Sequence, residues 1–90
     1  MNLINKLKGL ITHKDVIYSS AICSDCQLAE KFFQENNIEI DIKKIEEPQY
    51  RKELEEKHGK VLVPTIILGN EKFIGFEANQ EKIKKKLGVY

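Results

Sequence analysis

Two cysteines separated by two residues, placed between a short apolar run and an amphipathic stretch, constrain the fold of this chain most. The apolar run 16–18 leads through a turn to Cys23 and Cys26, and the apolar residues after the pair have helical spacing. Residues three apart on the first turn of a helix are neighbours, and a disulfide needs Cα atoms roughly 4.4–6.8 Å apart. This placement predicts a solvent-facing Cys23 at the start of a helix, with Cys26 one turn deeper and more buried.

The pattern around the cysteines predicts a strand–helix–strand unit. Residues 15–19 resemble a short buried strand, and residues 24–36 carry the apolar stripe of a core-facing helix. Ile38, Ile40 and Ile42 then alternate with charged residues, which is the period-two pattern of a half-exposed strand. Because short links join the two strands through a helix, we expect them to be parallel, with a right-handed crossover.

A second helix follows this unit. Pro48 suits the first turn of a helix that runs to about His58 and ends at Gly59. Oppositely charged residues one turn apart, such as Glu53 and Lys57, predict that this part of the helix is a solvated outer face.

The last third of the chain predicts a hairpin and a final helix. Residues 64–68 form a strand, 69–70 a tight turn, and 71–75 the returning strand. Residues 78–87 form the last helix, capped by Asn79 or a neighbour. Together these elements predict an α/β domain whose mixed four-stranded sheet has helices on both faces.

An extra helix is expected at the N-terminus, where residues 2–11 have apolar positions at helical spacing. We therefore predict that residues 1–12 form an amphipathic helix packed on a domain that spans 13–90.

Composition excludes several classes of function. Ninety residues suit a single small core, and a net charge of +1 provides no strong field toward nucleic acid or membrane. No segment has the apolar core of a signal peptide or the roughly 20 apolar residues of a membrane span. We expect a cytoplasmic monomer that binds neither nucleic acid nor membrane.

The spacing of the cysteines favours a bond that opens and closes. A disulfide across two intervening residues closes a very short loop and stabilises a fold weakly, so it is a poor structural bond. In an exchange reaction Cys23 attacks a substrate disulfide, and Cys26 then attacks the resulting mixed disulfide. The helix start favours a negative sulfur at Cys23, and the neighbouring charge of Asp25 opposes that effect.

Two metal-based alternatives remain at this point. A zinc site needs four ligands, and His13 and His58 do not lie at ligand-like spacing from Cys23 and Cys26, so no metal residues are predicted. An iron–sulfur cluster shared by two chains is the stronger rival, because one Cys23 and one small thiol per chain could together supply four ligands.

Pro64 also has two interpretations. It could be an ordinary trans residue at the edge of a strand. A cis Val63–Pro64 bond would instead turn the Val63 backbone toward Cys23, where a substrate could pair with it. Spacing alone does not decide between the isomers.

At these motifs the chain resembles the glutaredoxins and the closely related glutaredoxin-like redoxins, over about residues 15–88. The resemblance rests on Tyr18-Ser19, Cys23-x-x-Cys26, Gly59-Lys60-Val61-Leu62-Val63-Pro64-Thr65, Gly69-Asn70 and Ile74-Gly75-Phe76.

The resemblance implies a thioredoxin fold and a thiol–disulfide oxidoreductase, with Cys23 as nucleophile and Cys26 as resolving thiol. It implies a cis-proline substrate platform at Val63, Pro64 and Thr65. Gly75 and Phe76 would border a glutathione groove, and Tyr18 would lie either at this groove or in the core.

The resemblance also bears on partners and cofactors. Disulfide-bearing proteins would be the substrates, with glutathione or a flavoprotein reductase as the electron donor. No tightly bound cofactor is expected, and glutathione would act as a co-substrate.

The chain departs from the usual glutaredoxin pattern at several positions. Ser24 and Asp25 replace Pro-Tyr between the cysteines, Ser20 replaces a common lysine, and Ile74 replaces the first glycine of a Gly-Gly step. The Asp expected after that step is also missing. Each change predicts a weaker site for a small anion such as glutathione.

Overall fold

Strand β1 (Val16–Ser19) and helix α1 (Ser24–Glu35) form where the sequence predicted them, in a computed structural model that describes residues 15–89. The helix expected over 2–11, and with it the boundary at residue 12, lies outside the described residues. The other elements are β2 (Asp41–Lys44), α2 (Pro48–His58), β3 (Thr65–Leu68), β4 (Glu71–Ile74), a short 3-10 helix (Glu77–Asn79) and α3 (Gln80–Leu87).

The four strands form one mixed sheet in the order β2-β1-β3-β4. Strand β1 pairs in parallel with β2 and antiparallel with β3, and β3 pairs antiparallel with β4. The register places Tyr18 beside Lys43 and Ser19 beside Lys44. The predicted parallel unit and hairpin are therefore confirmed.

Proline and glycine set the bounds of α2 as predicted. Pro48 occupies the first turn, where its missing N–H is not needed by the helix. Gly59 follows the last residue with φ 85°, a left-handed conformation that glycine adopts without steric cost.

The main core lies between the sheet and the pair of helices α1 and α3. Burying one large apolar side chain, such as Ile, Leu or Phe, stabilises the fold by about 1.5–3 kcal/mol. The buried cluster comprises Ile17, Ala29, Phe33, Ile66, Leu68, Phe73, Phe76 and Ile83.

The opposite face of the sheet packs against α2 through Leu54 and through a hydrogen-bonded cluster of three residues that includes Tyr18. Neighbouring residues of a strand face opposite sides, so Tyr18 points away from the core that holds Ile17. Its hydroxyl donates to the Glu53 carboxylate, which also accepts from Lys43 Nζ at 2.6 Å. The prediction that Glu53 belongs to a solvated outer face is wrong, because its carboxylate turns toward the sheet.

Strand β2 begins later than predicted. Ile38 and Ile40 pack against the core, as their alternation indicates, but they precede the hydrogen-bonded strand. Ile42 lies within β2 and stays 37% exposed, because β2 is the edge strand.

The start of the last helix also differs from the prediction. Asn79 stands at the cap position of α3, yet its side chain makes no capping hydrogen bond. Its amide instead donates to the carbonyls of Ile74 and Gly75, at 2.8 and 2.9 Å. Within residues 15–89, no helix has the length and apolar character needed to cross a membrane.

Candidate active site

Cys23 stands at the N-cap of α1, where the sequence placed it. Its backbone is extended, with φ −102° and ψ 116°, and its sulfur accepts a hydrogen bond from the Cys26 N–H at 3.2 Å. The side chain is half-buried. The free N–H groups at a helix start can donate to a group placed there, as the Cys26 N–H does to this sulfur.

Cys26 lies one turn deeper and is fully buried. Burial raises the pKa of its thiol to about 12, and the hydrogen bond with Cys23 adds to this rise. A hydrogen bond with the Ser19 hydroxyl acts in the opposite direction. The two cysteines are present as free thiols, one accessible and one protected.

The segment before β3 brings a peptide carbonyl to the accessible thiol. The Val63–Pro64 bond is cis, as the resemblance implied. The Cys23 sulfur lies 3.9 Å from the Val63 carbonyl oxygen. Thr65 is buried, and its hydroxyl donates to the Leu62 carbonyl at 2.6 Å, which closes the turn into β3.

Gly75 lies next to this turn, since its N–H donates to the Pro64 carbonyl at 2.8 Å. Its φ of 94° is a conformation that side-chain-bearing residues rarely adopt. Phe76 has its ring in the core, 5.3 Å from the Phe32 ring. Only the backbone of Phe76 faces the cysteine motif, and its role in binding glutathione stays a prediction.

Asp25 has a structural contact that its position between the cysteines did not reveal. One carboxylate oxygen accepts from the Phe76 N–H at 2.8 Å, and the other accepts from the Glu77 N–H at 3.1 Å. The side chain therefore ties the first turn of α1 to the loop that follows β4. The sequence predicts only an electrostatic effect of Asp25 on Cys23, because nothing in its spacing indicates a partner about fifty residues away.

A second carboxylate supports the loop that precedes Cys23. The Ser20 hydroxyl donates to Glu46 at 2.7 Å, and the Ala21 N–H donates to the same oxygen at 3.1 Å. The Ser20 hydrogen bond is the main reason that the pKa of Glu46 is lowered. An anionic group thus lies near the position where the resemblance leads one to expect a lysine.

Tyr18 belongs to the buried part of the structure. Only 2% of it is exposed, and its ring meets the His58 ring edge-on at 5.7 Å. Burial, followed by the hydrogen bond to Glu53, raises the pKa of the Tyr18 hydroxyl. Between residues 15 and 89, no three His, Cys, Asp or Glu side chains come together as a metal site.

This arrangement of fold and motif agrees with a family comparison, in which the model for glutaredoxins matches residues 16–74. The chain belongs to the glutaredoxin family. Family membership and fold together support a thiol–disulfide oxidoreductase type of function, which the pair of Cys23 and Cys26 fits.

Solved structures show the same fold at low sequence identity. A point mutant of the thioredoxin-like protein BC3987 is 21% identical with a TM-score of 0.75, over 88% of this chain and 100% of that chain. A glutaredoxin from Archaeoglobus fulgidus is 18% identical with a TM-score of 0.67, over 88% and 90% of the two chains.

A buckwheat glutaredoxin, solved as a complex with glutathione, is also 18% identical. Its TM-score is 0.64, over 92% of this chain and 80% of that chain. A comparison with curated protein sequences found no match.

Proposed function

We propose that this glutaredoxin-family protein reduces disulfides of other proteins through a dithiol cycle of Cys23 and Cys26. One observation carries the proposal: a half-buried sulfur at a helix start accepts a hydrogen bond from the backbone of a fully buried cysteine one turn deeper. This geometry separates an accessible attacking thiol from a protected resolving thiol.

The cycle has two exchange steps. The Cys23 thiolate attacks one sulfur of the substrate disulfide, so that the substrate bond breaks and a mixed disulfide forms. The other substrate sulfur leaves as a thiolate and takes up a proton. Cys26 then loses its proton and attacks the Cys23 sulfur, which releases the second substrate sulfur. Two electrons pass from the two cysteines to the substrate, and Cys23 and Cys26 end as a disulfide.

Protein disulfides are the proposed substrates because the surroundings of Cys23 suit an extended peptide. The Val63 carbonyl lies beside the Cys23 sulfur, and Val63, Pro64 and Thr65 are the proposed platform for the substrate backbone. Ile22 is 90% exposed directly before Cys23, and Leu62 is 42% exposed directly before Val63. These apolar side chains offer contact area to a protein rather than to a small polar thiol.

We propose a flavoprotein reductase as the electron donor, in preference to glutathione. Glutathione carries two carboxylates, and the N–H groups of Phe76 and Glu77 already bind the Asp25 carboxylate. Glu46 adds a second negative group beside the loop that precedes Cys23. Unlike the buckwheat relative, which was solved with glutathione, this protein would then bind that tripeptide weakly. The cycle suits a monomer in a reducing compartment such as the cytoplasm.

The test of the cycle compares cysteine variants in the reduction of a protein disulfide such as that of insulin. We expect Cys23→Ser to abolish turnover, and Cys26→Ser to accumulate a mixed disulfide that intact-mass spectrometry detects. Turnover without Cys23 would contradict the proposal. Regeneration by thioredoxin reductase is expected to exceed regeneration by glutathione with its reductase, and the reverse order would contradict the proposed donor.

A further inference from the structure

A crevice of about 330 Å³ opens beside the proposed substrate platform. Thr65 lines it and pairs directly with Tyr18 on β1 and with Ile74 on β4. Directly paired residues share a face of the sheet, so the crevice lies on the face that carries Tyr18. The side chains that line it are His58, Lys60, Leu62, Thr65, Lys72 and Ile74.

Two backbone contacts place this crevice next to the accessible thiol. Leu62 directly precedes Val63, whose carbonyl oxygen lies 3.9 Å from the Cys23 sulfur. Ile74 directly precedes Gly75, whose N–H donates to the carbonyl of the cis-proline at 2.8 Å. Leu62 is 42% exposed and Ile74 is 48% exposed. A substrate segment on the platform therefore borders two exposed apolar side chains.

The charged side chains in the walls of the crevice are all basic. Lys60 and Lys72 are exposed, and within residues 15–89 neither takes part in an ion pair. No aspartate or glutamate is among the described residues that line the crevice. Two cations without an acidic neighbour in the same walls form a site that favours an anion.

His58 reports the same positive surroundings. Burial lowers the pKa of its side chain, and the charges of Lys72 and Lys57 lower it further. Glu53 acts in the opposite direction, and its carboxylate already accepts hydrogen bonds from β1 and β2. Because the ordinary pKa of His58 is 6.5, the positive charge of the crevice at pH 7 comes from the lysines.

We propose that this basic crevice binds an acidic side chain of the protein substrate, close in sequence to the substrate's reacting cysteine. The aspartate or glutamate pairs with Lys60 and Lys72, and an adjacent apolar residue of the substrate contacts Leu62 and Ile74. The inference rests on the proposed disulfide reduction at Cys23 and adds a substrate class to it. The preferred substrates are proteins whose disulfide is flanked by acidic and apolar residues.

A protein segment fits the basic crevice better than a small anion does. An exposed ion pair by itself contributes little to binding, so recognition needs contact area besides charge. Leu62 and Ile74 supply that area only to a ligand with apolar groups beside its carboxylate. Glutathione has carboxylates but no large apolar side chain, so it leaves both residues largely exposed.

The test uses three short peptides that differ only beside a single cysteine, with Phe-Glu, Phe-Gln or Phe-Lys on each side. The cysteine is blocked as a mixed disulfide with nitrothiobenzoate. The Cys23 thiolate bonds to the peptide sulfur, and nitrothiobenzoate leaves as a yellow anion. Mixing with an excess of reduced protein gives the rate constant without any electron donor. Rates with mercaptoethanol, an uncharged thiol, correct for the intrinsic reactivity of each peptide.

We expect wild-type protein to react about 5–10-fold faster with the Glu peptide than with the Gln peptide, and slowest with the Lys peptide. An exposed ion pair accounts for up to about fivefold, and two lysines contribute. The preference should fall below about twofold in 1 M salt, which screens exposed charges beyond about 3 Å. Equal rates with the three peptides at low salt overturn the proposal.

Reversing the two charges should reverse the order of the peptides. We expect the double variant Lys60→Glu, Lys72→Glu to react faster with the Lys peptide than with the Glu peptide. The matched control is Lys82→Glu, Lys85→Glu, which changes the net charge equally at exposed positions on α3. This control should keep the wild-type preference within about twofold. If the first double variant fails to fold, as judged by circular dichroism, Lys60→Glu alone should abolish the preference.

Three further outcomes have distinct meanings. A wild-type preference in a folded Lys60 and Lys72 variant overturns the basic crevice. The mixed disulfide of glutathione with nitrothiobenzoate should react within about twofold with wild type and this variant; a loss as large as that of the Glu peptide assigns the crevice to small anions and overturns the protein occupant. If no peptide reacts faster with wild type than with Cys23→Ser, the disulfide reduction itself is contradicted.

Discussion

Replacing Asp25 by alanine should cost this small protein about 2–3 kcal/mol of unfolding free energy. The substitution removes the acceptor of the partly buried Phe76 N–H, at 2.8 Å, and of the exposed Glu77 N–H, at 3.1 Å. A hydrogen bond to a charged group contributes about 1.5–3 kcal/mol. Water can replace the acceptor at Glu77 but reaches Phe76 poorly, so the cost comes mostly from the Phe76 N–H. Loss of a negative charge from the first helical turn adds about 0.3–1 kcal/mol.

Urea denaturation followed by circular dichroism measures this loss, and Glu81→Ala provides the matched control. Glu81 is the acidic residue in the first turn of α3, and it makes no side-chain hydrogen bond or ion pair within residues 15–89. Its removal therefore reports the charge effect without the two hydrogen bonds. We expect Glu81→Ala to cost less than about 1 kcal/mol. If Asp25→Ala costs no more than Glu81→Ala, Asp25 does not hold the loop after β4 to α1.

Three further substitutions test the fold and the buried thiol. Gly75→Ala should lower the free energy of unfolding, measured by urea denaturation, by about 1–2 kcal/mol. The cause is backbone strain at a φ of 94°, and not a steric clash, because the atom nearest to an added Cβ is 3.9 Å away. Phe33→Ala should cost about 3–5 kcal/mol, whereas Leu28→Ala on the exposed side of the same helix should cost much less; equal losses would contradict the assigned core. The pKa of the Cys26 thiol is about 12 in the folded protein and near its ordinary value of 9.0 in the unfolded chain. Between these two pH values only the unfolded chain loses the proton, which favours unfolding. The free energy of unfolding is therefore unaffected by this thiol below pH 9 and falls above it by about 1.4 kcal/mol per pH unit. Cys26→Ala should therefore lose stability less steeply above pH 9, and parallel slopes would refute the shift.

Much of the fold could be predicted because local signals and tertiary structure agree in this chain. Pro48 and Gly59 act through their own backbone preferences, so they mark the bounds of α2 whatever packs against it. The start of β2 could not be predicted in the same way. Ile38 and Ile40 are apolar because they contact the core, and that requirement holds whether or not their backbone joins the sheet.

The candidate site was predictable where chemistry depends on near neighbours in sequence. Cys23 and Cys26 are one helical turn apart, so their roles followed from spacing. Glu53 shows the opposite case. Its pairing with Lys43 and Tyr18 depends on which face of α2 meets the sheet, and the sequence offered Lys57 as an equally good local partner.

Asp25 and Glu30 show why the partners of the carboxylates near the thiols could not be predicted from the sequence. Both lie on α1, and a separation of five residues turns the chain by roughly 140° around the helix axis, so the two side chains cannot serve the same neighbour. Asp25 accepts from the Phe76 N–H in the loop after β4. Glu30 accepts from the Ser19 hydroxyl at the end of β1, and Lys44 Nζ at the end of β2 lies 3.5 Å from its carboxylate. Each contact requires a strand pairing, either β3 with β4 or β1 with β2, that is settled only when the sheet is complete. The residues that support the two cysteines are therefore fixed by the strand register, and no local motif in this sequence reports that register.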